Sequence, residues 1–406
     1  MSNRVPIIMY HSIGVVNRDW NWNRLTCPYE VFESQLLWLK KKRFRTLTAS
    51  QYLDALKQGV PPDGDFVLLT FDDGYLDNWV FAFPLLKKYG FSATFFVSPE
   101  FVDPTAECRP NLEDVWVGRE KAEELPCHGF LSWPEMREME RQGVGDVQSH
   151  ALTHTWYPTG KRIVDFRHPG DDHLWVTWNT HPEKKPFLQM DDHKLVHWGA
   201  PVYESAKSLE ARRYFPEAGL DGWLTEYVKD NGGESFFKEN WRDALFHQVE
   251  VYHRRHPVQG HSETDKEFEA RIRSELKGSK EALEQRLGKR VKVLCWPGGG
   301  VSPAALRIAA EEGYEASTLT SREREGPQER NVQPASMIRL SRTGAALHGS
   351  RRNKSSGRSV YLSGRLFLLH LYHFQGRQPR ALLSRIRLAV CRRLLQIRDS
   401  LAAPKA

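Results

Sequence analysis

The stretch DFVLLTFDDGY, residues 65–75, decides how the rest of the chain is read. Asp65 to Phe71 is a short, almost wholly apolar run, the pattern of a strand buried on both faces. It ends abruptly on Asp72 and Asp73, and Gly74 permits a sharp turn. Two adjacent carboxylates do not both ionise readily unless a cation lies between them or one keeps its proton. Two readings are open. Either the pair serves a metal ion, one Asp ligating it and the other facing the reacting centre as a base, or it is an acidic turn that Asp77 extends.

A second stretch weighs on that choice. QSHALTH, residues 148–154, places His150 and His154 four apart just after a short strand-like run, VGDVQSH. On one helical turn the two imidazoles would face the same way and could share an ion. With the aspartates they make an Asp/His/His set with open positions, which suits zinc or a similar ion acting on water.

Around these stretches, strand-like and helix-like runs alternate. Val5–Met9 reads as a buried strand that exits on Tyr10 and His11, and Ser92–Ser98 as another. Tyr29–Phe44 has amphipathic helical spacing, Ser50–Gly59 a helix capped by Ser50, and Asn78–Gly90 a helix stopped by Gly90. Ser132–Gly143 opens with a capping box of Ser132 and Glu135. The alternation resumes with a long helix over Phe268–Gly288, a strand at Val291–Pro297, a helix over Ser302–Tyr314 and a strand just beyond. Repeated strand–helix units with buried strands specify a parallel α/β sheet or barrel.

Between them lies an interruption of Trp- and Pro-rich sequence with nine of the sixteen histidines, helical only from about Leu220 to His256. A stretch this long inside a domain is an insertion, expected either to fold over the mouth of the barrel and shape its pocket or to form a structural or interaction subdomain. The C-terminal part is different again. From Arg342 to the end there are 12 Arg and 2 Lys against the single Asp399, whereas the remainder carries 44 basic and 50 acidic residues. The basic character is thus confined to the tail. Within Pro379–Leu401, Leu383, Val390 and Ile397 repeat every seven residues beside Ile386, Leu394 and Leu401, with arginines opposite. Such a helix would contact an anionic membrane surface or pack on the body. The tail lacks the interleaved aromatics of a nucleic-acid binder. Five cysteines without a Cys-x-x-Cys pair, no secretory signal and no membrane-length apolar run set the expectation of a cytoplasmic protein, peripheral at the inner face of the membrane.

Thr70-Phe71-Asp72-Asp73-Gly74-Tyr75, followed by Ser149-His150-x-x-x-His154, resembles the polysaccharide deacetylases, the NodB homology family, carbohydrate esterase family four. Leu131-Ser132-Trp133 before a helix, and Ser279-Lys280-Glu281 ahead of Val293–Gly298, are also similar to that family. The resemblance implies a distorted barrel of about seven strands. It divides the chain into barrel over 1–156, insertion over 157–262, barrel over 263–342, and a basic linker and amphipathic tail over 343–406. It implies hydrolysis of an N-acetyl group from an amino sugar of a glycan or glycan precursor. Asp72 would be the base, and Asp73, His150 and His154 the ligands of a divalent ion, expected to be Zn2+. Gly298 would donate its N–H to the oxyanion, with Pro297 and Tyr75 beside the substrate; Trp296 is either an aromatic platform in the substrate wall or an ordinary core residue.

Two departures bear on this. The family's Arg-x-Pro-Tyr motif reads Cys295-Trp296-Pro297-Gly298, so the arginine that would orient the base and the tyrosine ring are both missing. Some relatives begin on a strand ending in Tyr-His, which makes His11 the expected general acid, with His370 the competitor and a core histidine the plain alternative. Rival readings are deformylation or O-deacetylation at the same metal site, or a carbohydrate-binding protein with an inactive site.

Overall fold

The computed structural model describes residues 5–16, 25–59, 64–187, 194–257, 259–319, 337–348, 359–375, 386–391, 393 and 394. Strands β1 (Ile7–Tyr10), β2 (Phe66–Phe71), β3 (Ala93–Val97), β4 (Gly145–Ser149), β5 (Val293–Leu294), β6 (Ala316–Thr318) and β7 (Ile338–Leu340) lie side by side in chain order. A last strand, β8 (Thr343–Gly344), lies against β1. Every pairing along this path is parallel. Only Ser341 and Arg342 separate β7 from β8, so the two are parts of one extended stretch. One part pairs with β6 (Ser317 opposite Arg339) and the other with β1 (Ile8 opposite Thr343). The sheet therefore curls round on itself, and Arg342 sits at the seam. This is the distorted α/β barrel expected from the sequence.

Side chains alternate across each strand. Ile7, Leu68, Phe96, Val293, Ala316 and Leu340 share one buried cluster, whereas their neighbours Ile8, Leu69 and Phe95 join the larger cluster formed with the helices. Helices α1 (Tyr29–Lys41), α2 (Ala49–Lys57), α3 (Phe83–Tyr89), α4 (Trp133–Arg141), α5 (Asp265–Leu287) and α6 (Pro303–Glu311) connect the strands. The cap of α2 is Thr48, not Ser50. Thr48 forms a reciprocal box with Gln51, and the Ser50 hydroxyl bonds Asp146 instead.

The insertion has two parts. Trp156–Phe166 and Pro201–Lys207 form an antiparallel ribbon with irregular register. Helices Leu220–Asp230 and Trp241–Arg255 pack together around Leu224, Val228, Leu245 and Val249. The half-buried ribbon has no clean alternation, which is why the sequence pattern did not show it.

The boundary expected at residue 342 falls inside the body. Beyond it, β8 completes the ring, and helix α7 (Gly364–Gln375) packs on α1 with Phe367, Leu368 and Leu371 buried. The basic linker at 349–358 and most of the predicted tail helix lie outside the described residues. In the described part of that helix, Leu388 is buried while Ile386, Val390 and Leu394 are exposed. Among the described residues no helix is long and apolar enough to cross a membrane.

Candidate active site

The alternation that fills the barrel also builds the site. Following each inward-facing series to the end of its strand or just past it leads from Ile7 and Met9 to His11, from Leu68 and Thr70 to Asp72, and from Phe96 to Ser98. On the far side it leads from Gln148 to His150, from Ala316 to Thr318, and from Leu340 to Arg342. All six end residues line one cavity of about 330 Å³ at the C-terminal mouth of the barrel. Active sites of parallel barrels sit at this end because the strand-to-helix loops there are free of packing duties.

Asp73 has the opposite strand parity and would point away. Its backbone adopts a left-handed φ of 74°, which turns its carboxylate back into the cavity beside Asp72. His150 and His154 do not share a helical turn, contrary to the expectation from their spacing. Residues 150–155 form a loop in which Ala151 (φ 58°) and His154 (φ 42°) are also left-handed. Three of the five described non-glycine residues with positive φ thus lie at this site. Strain of this kind persists only where the surroundings enforce it.

The strained loops make the imidazoles converge. His150 Nε2 lies 3.0 Å and His154 Nε2 3.2 Å from the same oxygen, Oδ1 of Asp73. His150 Nδ1 is 2.9 Å from the Cys295 carbonyl, which places a proton on Nδ1 and makes Nε2, facing Asp73, the nitrogen that would bind an ion once its own proton is lost. One carboxylate and two imidazoles on one side of a cavity fit a divalent ion of the zinc type with open positions. Burial alone would push the Asp73 carboxyl up, but hydrogen bonds from His150 and His154 hold it well below its ordinary range.

The missing arginine is not missing. Arg342 takes both oxygens of Asp72, Nη1 to Oδ1 at 2.5 Å and Nη2 to Oδ2 at 2.8 Å. Both residues are buried. Burial opposes ionisation of Asp72, but the charge and hydrogen bonds of Arg342 outweigh it, and the carboxyl stays below its ordinary range. Cys295, at the position where the family motif carries arginine, lies against both, with Sγ 3.0 Å from Arg342 Nη2 and 3.5 Å from Asp72 Oδ2. A small thiol just past the end of β5 makes room for a guanidinium arriving from the seam. A buried-strand sequence ending in Arg342 is the one signal that could have pointed to it.

The remaining candidates divide. Tyr10 is an ordinary core residue, stacked on Phe71 with its hydroxyl donating to Gln35, whereas His11 lines the cavity. His370 does not line it; it lies beside Thr343 and Phe374. Tyr75, Trp296 and Gly298 line the cavity, but Pro297 is buried and does not line it, so its expected place beside the substrate is not met. The amides of Gly299 and Gly300 donate to Trp296 and Pro297 carbonyls, while that of Gly298 donates to none of the described residues. Phe101 and Phe130, together with Trp156 and Trp178 from the insertion, complete an aromatic wall that the sequence did not disclose.

Fold and site together define an α/β barrel with an Asp/His/His metal-type centre and a second carboxylate clamped beside it. A family model described as polysaccharide deacetylase matches residues 59–193 and 247–317, half of the chain, and the chain belongs to that family. The gap in the match falls within the insertion. YxkH of Bacillus subtilis, whose name places it among the polysaccharide deacetylases, is 32% identical over 151 residues, 37% of this chain and 43% of that protein. The poly-β-1,6-N-acetyl-D-glucosamine N-deacetylase of Escherichia coli K12 is 29% identical over 154 residues, 38% of this chain and 21% of that protein. These similarities thus span less than half of the relatives' own lengths. A solved de-N-acetylase structure from Aggregatibacter actinomycetemcomitans aligns over 83% of this chain and 93% of that one, at 17% identity and a TM-score of 0.49.

Proposed function

We propose that this protein is a metal-dependent N-deacetylase acting on an N-acetylated amino sugar in a glycan or glycan precursor. The observation that carries the reading is the pair of neighbouring carboxylates in different states of engagement. Asp73 meets two imidazoles, and Asp72, one residue away, is held ionised by Arg342. Asp73, His150 and His154 would hold the ion, with zinc the best match to two nitrogens and one carboxylate. Such an ion supplies Lewis acidity to the acyl group and to an attacking water.

The protein's own groups do the rest. Asp72 accepts a proton from the attacking water, and the Arg342 clamp keeps it unprotonated and aimed. The unengaged N–H of Gly298 stands ready for the oxygen that gains charge as the acyl carbon becomes tetrahedral. His11, in the same cavity, delivers a proton to the departing amine. The aromatic wall offers apolar faces to a sugar ring, and the similarity to the Escherichia coli poly-β-1,6-N-acetyl-D-glucosamine N-deacetylase supports an amino-sugar polymer as substrate. The exposed Ile386, Val390 and Leu394 beside the arginine-rich tail support contact with an anionic membrane surface, which co-sedimentation with acidic and neutral vesicles tests.

The test of function is acetate release from N-acetylated oligosaccharides and from nucleotide- and lipid-linked sugars, with zinc added. Release should be abolished in Asp72→Asn and sharply reduced in His11→Ala. Release that survives Asp72→Asn rejects the mechanism. Absence of release from every substrate by a zinc-loaded protein rejects the deacetylase reading in favour of another acyl hydrolase.

A further inference from the structure

Besides Trp156 and Trp178 in the cavity wall, the insertion meets the site through two lysines, each of which donates to a main-chain carbonyl of one active-site loop. Lys185 is buried, its ammonium 2.7 Å from the Thr153 carbonyl and 2.5 Å from the Glu100 carboxylate. The Thr153 carbonyl belongs to the peptide that leads into His154, whose backbone is left-handed. Fixing the plane of that peptide fixes φ of His154, and with it the direction of its imidazole. The Thr153 hydroxyl is held as well, by Glu275, which also accepts from Ser208 at the end of the insertion's ribbon.

Lys207 does the corresponding work on the opposite loop. Its ammonium donates to the Gly298 carbonyl, and its stem lies where side chains at 298 and 300 would be. A Cβ on Gly298 would run into the Lys207 ammonium, and one on Gly300 would lie 2.6 Å from Lys207 Cβ. The absence of a tyrosine ring at 298 is thus matched by a lysine from the insertion that fills the space. Gly298, too, is left-handed, at φ 50°.

We propose that the insertion is a working part of the catalytic site, in which Lys185 and Lys207 are positioning residues that hold His154 and Gly298 in their left-handed backbone conformations. On the reading of Asp73, His150 and His154 as metal ligands, the two lysines have separable effects. Lys185 governs metal affinity. Lys207 governs the oxyanion donor and leaves metal affinity alone.

The experiment measures zinc affinity by chelator competition, kcat and KM, and melting temperature for wild type, Lys185→Met and Lys207→Met. Lys185→Met with Glu100→Gln removes the buried pair together and guards against misfolding from a stranded carboxylate. Lys185→Met and the double variant should bind zinc about 10- to 100-fold more weakly, as supporting residues around metal ligands do when lost. Lys207→Met should bind zinc as wild type does and lose on the order of tenfold in kcat at similar KM. A stability cycle gives a readout free of both metal and activity. Gly298→Ala should lower the melting temperature of wild type more than that of Lys207→Ala. Wild-type zinc affinity in both lysine variants that lack the Thr153 bond, with additive effects of Gly298 and Lys207, would overturn the inference. A wild type that takes no zinc rejects the metal reading and the Lys185 half with it, and the Gly298–Lys207 cycle then decides the other half.

Discussion

Arg342 and Asp72 form a two-pronged ion pair across 270 residues of sequence, buried at the seam where the barrel closes. The pair does two things at once. It keeps Asp72 ionised in a place that would otherwise protonate it, and it leaves the carboxylate no freedom to turn.

Removing the guanidinium separates those effects from metal binding. Arg342→Met should lower kcat by roughly 10²–10⁴, the range attached to a positioned general base. Because Arg342 holds the Asp72 pKa down, its loss should also move the acidic limb of kcat/KM to higher pH. The buried, unpaired carboxylate should cost about 3–5 kcal/mol in urea unfolding at neutral pH. That cost should shrink as pH falls and Asp72 takes up a proton. Arg342→Lys should recover only part of the loss, since an ammonium cannot span both oxygens. An unchanged pH profile in Arg342→Met would reject the role.

Cys295 and Arg342 should be exchangeable as a pair. Cys295→Arg alone places two guanidiniums on one carboxylate and should unfold at a lower temperature than wild type. The double variant Cys295→Arg, Arg342→Cys restores one cation and the total volume, and should regain activity above either single variant. The measurement is a double-mutant cycle on kcat/KM, with strong positive coupling expected.

Zinc should stabilise the folded protein by an amount that grows with the logarithm of its concentration above Kd, about 2.7 kcal/mol at a hundredfold over Kd. Asp73→Asn and His154→Ala should show a much smaller shift in melting temperature on adding zinc, while Asp72→Asn should keep most of it. Equal shifts in Asp73→Asn and Asp72→Asn would overturn the division between ligand and base.

Asp77 sets a pH dependence of opposite sign to that of Asp72. Burial pushes its carboxyl up to about 6, although Ser12 and Asn78 donate to it. Between about pH 4 and 6 the folded protein holds a proton that the unfolded chain has released. The group's contribution therefore favours folding at acid pH and declines as pH rises through 6. In Asp77→Asn, the difference in unfolding free energy between pH 4.5 and 7.5 should lose a falling component of about 2 kcal/mol. Parallel pH curves for the two proteins would reject it.

Much of the barrel was legible because its signals are local. A buried run ending on two aspartates, glycine stops and capping boxes each lie within a few residues of the feature they specify. The same holds for Asp72, Asp73, His150 and His154, each standing at a strand end in the short-range pattern. The arrangement of the two histidines was misread, because spacing of four suits both a helical turn and a strained loop. Which one forms depends on Lys185 and Glu275, which are distant in sequence.

What the chain's order of residues determined by itself is the strand–helix alternation and the inward parity that delivers His11, Asp72 and His150 to one end of the barrel. What only the tertiary structure decided is who meets whom across the ring. Arg342 replaces the expected arginine because the seam brings residue 342 beside residue 72. Lys207 takes the place of a tyrosine ring because an inserted ribbon folds back onto Gly298. Such contacts arise from ring closure and packing between distant segments, and no periodicity along a single element encodes them.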